Sequence, residues 1–173
     1  MKQIAWIAAL LCLLCGCAAK YETEEVFLLH DVPVPVDAPA PRYEMFCQVP
    51  DAAVQAFAGE DGVVYEANSG DFFLSSRTLP GMDAAEAMRA ITGMEPEALD
   101  PVELETMGMR DYRFTWWAQT EDGLWLCRGR VLEDTDCCYA LCAACCPEDP
   151  DARSACDRAL ETFSLNSARD AMP

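Results

Sequence analysis

The residues best suited to chemistry in this sequence are cysteines, which concentrate in one short stretch. The chain of 173 residues contains 11 cysteines, and five of them lie close together: Cys137, Cys138, Cys142, Cys145 and Cys146. Cys142 and Cys145 have the CxxC spacing found in redox and zinc-binding motifs. A zinc site would need a second pair of ligands, and no similarly spaced pair occurs elsewhere. If the stretch is a β-strand, the two CxxC sulfurs point to opposite faces of the sheet.

Three interpretations of these cysteines follow from their types and positions. Free cysteines most often behave as small apolar residues of a core, and this is our working expectation. Disulfides are the second interpretation, because an exported protein permits them. The third is an exported thiol/disulfide or metal-dependent enzyme that uses the cluster from Cys137 to Cys146.

A catalytic constellation is not visible elsewhere in the chain. Nucleophilic catalysis needs a base, and the single histidine, His30, lies far along the chain from Ser75 and Ser76. Adjacent carboxylates such as Glu60 and Asp61 fall in predicted turns, where polar residues occur for conformational reasons. The sequence also lacks a glycine-rich phosphate loop and the ligand spacing of a calcium loop. We therefore expect a non-enzymatic protein with no catalytic residues, no metal site and no cofactor.

Three arginines form a candidate binding face in an otherwise acidic chain. Arg128 and Arg130 share one face of a predicted strand, and Arg113 joins them if the register of the neighbouring strand allows it. Such a face suits an anionic ligand or an acidic partner segment. The alternative is that the arginines pair with nearby Asp and Glu across the strands. An exposed side chain among the nearby tryptophans, at positions 116, 117 and 125, would favour an interface.

The N-terminus resembles a bacterial lipoprotein signal. A basic start at Lys2 precedes an apolar run from Ile4 to Leu14, which is too short to span a bilayer. The run ends in Leu14-Cys15-Gly16-Cys17, which resembles the lipobox. This resemblance implies that residues 1–16 are a cleaved signal peptide and that Cys17 is lipidated. A plain cleaved signal with an unmodified cysteine is the alternative.

The predicted anchor determines the expected location and partners. The lipid on Cys17 would hold the protein to the bacterial cell membrane or outer membrane, with its domain outside the cytoplasm. The net charge of −18 excludes the basic surface of a nucleic-acid binder.

Residues 17–42, with prolines at 33, 35, 39 and 41, predict an extended tether, although the apolar segment 26–29 is expected to pack on the domain. Residues 43–166 are expected to form one domain and residues 167–173 a tail.

Hydrophobic patterning predicts the elements that must position these residues. Strands are expected over residues 43–49, 63–67, 72–77, 102–106, 111–119, 124–132 and 137–146. A capping box at Asp83 and Glu86 predicts a helix that ends at Gly93. Asp149 and Pro150 predict a second helix with one apolar stripe. The order indicates an α+β fold, an antiparallel sheet of about six strands packed by two or more helices.

The hydrophobic pattern of the predicted domain also resembles that of the PsbP/Mog1/DcrB-like domain. The resemblance is carried by the segments Tyr43-Glu44-Met45-Phe46, Phe72-Phe73-Leu74, Tyr112-Arg113-Phe114-Thr115-Trp116, Tyr139-Ala140-Leu141 and Thr162-Phe163-Ser164-Leu165. Members of that group bind partners or stand on membranes as accessory subunits, and few are enzymes. The resemblance therefore implies a non-catalytic interaction or accessory module of the cell envelope, with an envelope protein as its partner.

Overall fold

The computed structural model describes residues 38, 40–59, 62–120 and 123–167. These residues form nine strands and three helices: β1 Tyr43–Phe46, β2 Ala53–Ala58, β3 Gly62–Ala67, β4 Phe72–Pro80, α1 Ala84–Thr92, α2 Pro96–Leu99, β5 Val102–Thr106, β6 Met109–Thr120, β7 Gly123–Glu133, β8 Cys137–Cys145, α3 Pro150–Thr162 and β9 Ser164–Ser167. None of the described helices is both long and apolar enough to cross a bilayer. The predicted signal peptide, Cys17 and His30 lie outside the described residues.

Seven strands form the main sheet, in the order β2-β3-β4-β8-β7-β6-β5, and every neighbouring pair is antiparallel. This confirms the predicted α+β class and the meander formed by β6, β7 and β8. The sheet has one strand more than expected because β2 was not predicted. Five of the six residues of β2 are exposed, so this edge strand lacks the apolar alternation that marks a half-buried strand.

The first and last strands form a separate two-stranded ribbon, which the sequence did not predict. The expected strand 43–49 ends at Phe46, and it pairs with β9 instead of joining the main sheet. Tyr43 lies opposite Ser167 and Phe46 opposite Ser164, so the paired residues are more than a hundred positions apart in the chain. Strand β9 ends at Ser167, one residue past the expected domain boundary at residue 166.

The predicted turn and cap residues have the expected conformations. Asp83 caps α1 through the backbone amide of Glu86, the Glu86 side chain accepts from the amide of Asp83, and Gly93 ends the helix at φ 68°. Asp149 accepts hydrogen bonds from the amides of Asp151 and Ala152 at the start of α3. Local sequence alone therefore determines where the two longer helices begin.

Helices cover both faces of the sheet, and β8 lies between them. Helix α3 and the β1-β9 ribbon pack on one face, with Leu141 and Cys145 of β8 beneath them. Helices α1 and α2 pack on the other face, over Cys138 and Ala140. All nine residues of β8 are buried, and most are alanine or cysteine. These small side chains allow a helix to approach the sheet closely on either side.

Gly129 allows the ring of Phe114 to pack on the neighbouring strand. The two residues are direct partners across β6 and β7, and a Cβ added to Gly129 would lie 2.3 Å from the Phe114 ring. Phe114 is itself buried and stacks against Trp116 with ring centroids 5.6 Å apart. Position 129 therefore requires glycine, because the Phe114 ring packs directly against the backbone there.

We expect Gly129→Ala to lower the free energy of unfolding by about 1–3 kcal/mol, because the added methyl group overpacks this site. Urea unfolding followed by tryptophan fluorescence measures the change. In a double mutant with Phe114→Leu, the smaller side chain should relieve part of the clash, so the two losses should not add. Strictly additive losses would show that the Phe114 ring is not what excludes the methyl group.

Candidate interaction face

The strand register brings the three predicted arginines onto one face of the sheet. Arg113 on β6 lies directly opposite Arg130 on β7, and Arg128 lies opposite Thr115. Because side chains alternate along a strand, all three project towards the side that carries α3. The sequence left the position of Arg113 dependent on register, and the structure places it beside Arg130.

A buried carboxylate organises two of these arginines. Asp111 is fully buried, and its carboxylate accepts hydrogen bonds from Arg130 Nε at 3.0 Å and Nη2 at 2.9 Å. Arg113 Nη2 donates to the same carboxylate at 2.9 Å, and the Thr106 hydroxyl donates at 2.8 Å. Burial opposes ionisation of Asp111, but the hydrogen bonds from Arg130, Arg113 and Thr106 outweigh it and hold the pKa of Asp111 below its usual value.

Arg130 also joins the sheet to the C-terminal end of α3. Its Nη1 donates to the carbonyl of Leu160 at 3.0 Å and to that of Phe163 at 2.8 Å, and its guanidinium lies 5.6 Å from the centre of the Phe163 ring. Both carbonyls lie at the C-terminal end of α3, where carbonyls remain open to further donors, and that of Leu160 also accepts a hydrogen bond from the Phe163 amide at 3.4 Å. Because Nε, Nη1 and Nη2 of Arg130 all donate hydrogen bonds within the domain, the role of Arg130 is structural.

The remaining arginines differ in how open they are to solvent. Arg128 forms an ion pair with Asp157 of α3 and is partly covered. Arg113 is the most exposed of the three, with 48% of its side chain accessible. All three arginines therefore pair with aspartates, but only the Arg130–Asp111 pair joins neighbouring strands, as the alternative interpretation expected; Arg113 pairs within β6 and Arg128 with α3.

Beyond α3, the same face of the sheet carries exposed apolar side chains. Val102, Leu104, Trp117 and Leu124 are all exposed, and Trp117 is 56% accessible. The strand pairing of β5, β6 and β7 puts them on the side of Arg113. A cleft of about 290 Å³ runs between this surface and α3, with Val102, Arg113, Arg128 and Leu160 among its walls. We call the surface formed by Val102, Leu104, Arg113, Trp117 and Leu124 the interaction face.

The three tryptophans near the arginines have different environments. Trp125 is buried and packs against Phe73 with ring centroids 5.3 Å apart. Trp116 is partly buried and stacks on Phe114. Trp117 follows Trp116 in β6, so its side chain points to the other face of the sheet, and it is exposed. The alternation expected from the sequence is confirmed, and it yields the exposed tryptophan that favours an interface.

The cysteine cluster lies inside the protein. Cys137, Cys138, Cys142 and Cys145 are buried in β8, and their sulfurs alternate between the two faces. Burial raises the pKa of Cys142 and of Cys127 to about 12 and raises that of Cys138 as well. A thiol with such a pKa is a poor nucleophile at neutral pH. Among the described residues, no three His, Cys, Asp or Glu side chains are grouped to hold a metal ion.

Comparisons with known proteins identify the fold. No model of a known protein family matches the sequence, and no curated protein is similar to it. The structure is similar to the crystal structure of a protein from Bacteroides thetaiotaomicron VPI-5482, with a TM-score of 0.52, 6% identity and 75% of this chain covered. This chain spans about half, 47%, of the length of that protein. At such identity the likeness shows a shared fold.

Two further solved structures show similarity at lower TM-scores. One is the solution structure of the cyanobacterial PsbP protein CyanoP from Synechocystis sp. PCC 6803, with a TM-score of 0.48 and 10% identity over 78% of this chain and 99% of that one. The other is the crystal structure of LpqN, involved in cell envelope biogenesis of Mycobacterium tuberculosis. Its TM-score is 0.47, with 12% identity over 86% of this chain and 99% of that one. A PsbP protein is thus among the solved structures to which this chain is similar.

Replacing Asp111 with Asn should lower the free energy of unfolding by about 3–5 kcal/mol at neutral pH, because the buried Arg130 guanidinium loses its counter-charge. Chemical denaturation measures the loss. Glu95→Gln is the matched control, since Glu95 pairs with Arg89 on the surface, and this variant should lose far less.

The same variant has an expected pH dependence. The folded pKa of Asp111 is depressed, so its stabilising effect is present above the unfolded pKa and is lost as the pH falls through the folded pKa. The stability difference between wild type and Asp111→Asn should therefore shrink as the pH is lowered from about 5 towards 2. A difference independent of pH would show that the charge of Asp111 is not what stabilises the fold.

Proposed function

We propose that this protein is a membrane-anchored extracytoplasmic lipoprotein that acts as a non-catalytic interaction or accessory module of the bacterial cell envelope. The lipid on Cys17 provides the anchor, residues 17–42 provide the tether, and the domain binds an envelope protein through the interaction face. The observation that carries the proposal is this face, where an exposed tryptophan and three further exposed apolar side chains lie on the same side of the sheet as an accessible arginine.

Such a surface suits a protein partner better than a small ligand. Interfaces are enriched in tryptophan and arginine, which combine apolar area with hydrogen-bonding groups. The cleft beside α3 is shallow and lies between charged walls that include Asp157 and Glu161. We therefore expect a partner segment that places apolar side chains over Trp117 and Leu124 and a carboxylate near Arg113.

The last tether residues that the structure describes attach to the domain away from this face. The backbone amides of Arg42 and Tyr43 donate to the Tyr139 hydroxyl at 3.0 and 3.2 Å, and Arg42 pairs with Asp134 at 2.9 Å. Tyr139 lies opposite Leu132, whereas Trp117 lies opposite Leu126. Leu132 and Leu126 are six residues apart in β7, which corresponds to about 20 Å along an extended strand. The tether thus joins the domain at one end of the β7 strand, and the exposed tryptophan lies near the other.

The alternative function is an exported thiol/disulfide or metal-dependent enzyme that uses the cysteine cluster. The raised pKa of Cys127, Cys138 and Cys142 disfavours it. Cys145 has a lowered pKa, but at 2% accessibility it is not open to a substrate in the folded domain. Thiol counting together with metal analysis of the purified protein separates the two functions. Stoichiometric metal, or thiols that react rapidly in the folded protein, would favour the enzyme.

The lipid anchor is tested by substitution of Cys17. A full-length Cys17→Ala variant should lose incorporation of an alkyne-labelled fatty acid and should retain its signal peptide, because both lipidation and cleavage depend on that thiol. Cys15→Ala is the matched control, and it should still be labelled. If the Cys17→Ala variant is labelled like the wild type, the assignment of the lipobox is wrong.

The interaction face is tested by affinity capture of the full-length protein from native membranes after mild crosslinking. Trp117→Ala with Leu124→Ser should reduce recovery of a reproducible envelope partner about tenfold or more, since central apolar contacts dominate interface energy. Phe57→Ala with Val54→Ser is the control, because these residues are equally exposed but lie on the opposite edge strand β2. Equal recovery with both double mutants would place the binding surface elsewhere.

A further inference from the structure

Two buried cysteines face each other where α3 packs on the sheet. Cys145 is the last residue of β8, and Cys156 is near the middle of α3. Both belong to the core between the helix and the sheet, and they are 2% and 1% accessible. Cys156 Sγ lies 3.8 Å from the carbonyl oxygen of Ala144, the residue before Cys145, and Cys145 Sγ lies 3.9 Å from the carbonyl oxygen of Leu126.

Small neighbours bring the two sulfurs together. Ala152, Cys156 and Ala159 form the buried side of α3, and Ala143 and Cys145 lie in the same core on β8. Alanine and cysteine on both elements reduce the distance between the helix and the strand. Close packing of this kind is what a disulfide needs, because bridged cysteines have Cα atoms about 4.4–6.8 Å apart.

Positive charge and hydrogen bonding activate one of the two thiols. The neighbouring Cys156 thiol, together with the charges of Arg128 and Arg153, lowers the pKa of Cys145 against the opposing effect of burial. The neighbouring Cys145 thiol and burial raise the pKa of Cys156. A nucleophilic thiolate beside a protonated thiol is the arrangement of a dithiol poised for exchange.

The other cysteines of the cluster are placed differently. Cys138 belongs to the core on the opposite face of the sheet, below α1. Cys127 and Cys142 also lie on that side, away from α3. Cys146 follows Cys145 directly and is only partly buried. The pair formed by Cys145 and Cys156 is therefore distinct from the CxxC motif that the sequence suggested.

We propose that Cys145 and Cys156 are a redox modification site at which a disulfide links β8 to α3. The oxidant is the disulfide of an exported protein that donates disulfides. The Cys145 thiolate attacks one sulfur of the donor, forms a mixed disulfide and releases the other donor sulfur as a thiolate. Cys156 loses its proton and attacks the Cys145 sulfur, which releases the second donor thiolate. The protein gives up two electrons and two protons, and the donor is reduced to a dithiol.

The low accessibility of both sulfurs determines when the exchange takes place. Exchange needs contact between the Cys145 sulfur and the donor, so it precedes the docking of α3 during folding or follows a local opening of that helix. Once formed, the bond restrains the helix that carries Asp157, Leu160 and Glu161, which line the cleft beside the interaction face. The inference rests on the export that the proposed function includes, because the disulfide donor is an exported protein, but it does not rest on the interaction face.

Peptide mapping of the full-length protein tests the site directly. Cleavage after arginine leaves Cys156 alone in the peptide 154–158, whereas Cys145 falls in the peptide 131–153 with four other cysteines. The protein is incubated with oxidised glutathione, its remaining thiols are blocked without reduction, and it is digested. We expect the two peptides to be joined by a bond that a reductant breaks. Cys156 that stays fully alkylated, or that is joined to a peptide other than 131–153, would overturn the proposal.

Variants identify the partner within the larger peptide. Cys145→Ser should abolish the link to the peptide 154–158, and Cys146→Ser, the matched control at the next position, should retain it. The oxidised wild type should melt about 5–10 °C above its reduced form, and hydrogen exchange over residues 150–162 should slow. A link that survives Cys145→Ser, or an oxidised wild type with unchanged melting and exchange, would contradict a bridge between β8 and α3.

Discussion

The burial of strand β8 on both faces is the constraint on which the rest of this structure depends. The strand is central in the sheet, paired with β4 on one side and β7 on the other, and all nine of its residues are buried. A strand covered on both sides has no polar face, so its sequence is continuously apolar. Because alanine and cysteine make up most of it, helices can pack closely on either side.

The same constraint separates the two sulfurs of the CxxC spacing. Alternation sends Cys142 and Cys145 to opposite faces of β8, so the spacing that resembles a motif in the sequence does not bring the two sulfurs together. Helix α3 instead supplies Cys156 from eleven positions further along the chain. The pairing of thiols in this protein follows the packing of a helix on a strand and not the spacing within the strand.

The buried pair of Asp111 and Arg130 connects the packing of the domain to its surface. Arg130 joins the β6-β7 hairpin to the last carbonyls of α3, while the same Asp111 carboxylate also binds the exposed Arg113. An arginine with this many partners orients the helix relative to the sheet, because each hydrogen bond fixes both position and direction. The exposed apolar residues of β5, β6 and β7 remain uncovered because α3 extends over only part of that face.

The sequence by itself determined the class of the fold, the helix starts at Asp83 and Asp149, the meander of β6, β7 and β8, and the alternation that exposes Trp117. These features depend on local chemistry, on caps, turns and the two-residue period of a strand. Only the tertiary structure decided the β1-β9 ribbon, the edge strand β2, the carboxylate partners of the three arginines and the contact between Cys145 and Cys156. Each of those joins residues whose proximity depends on how whole elements pack, and no local pattern in the chain records that packing.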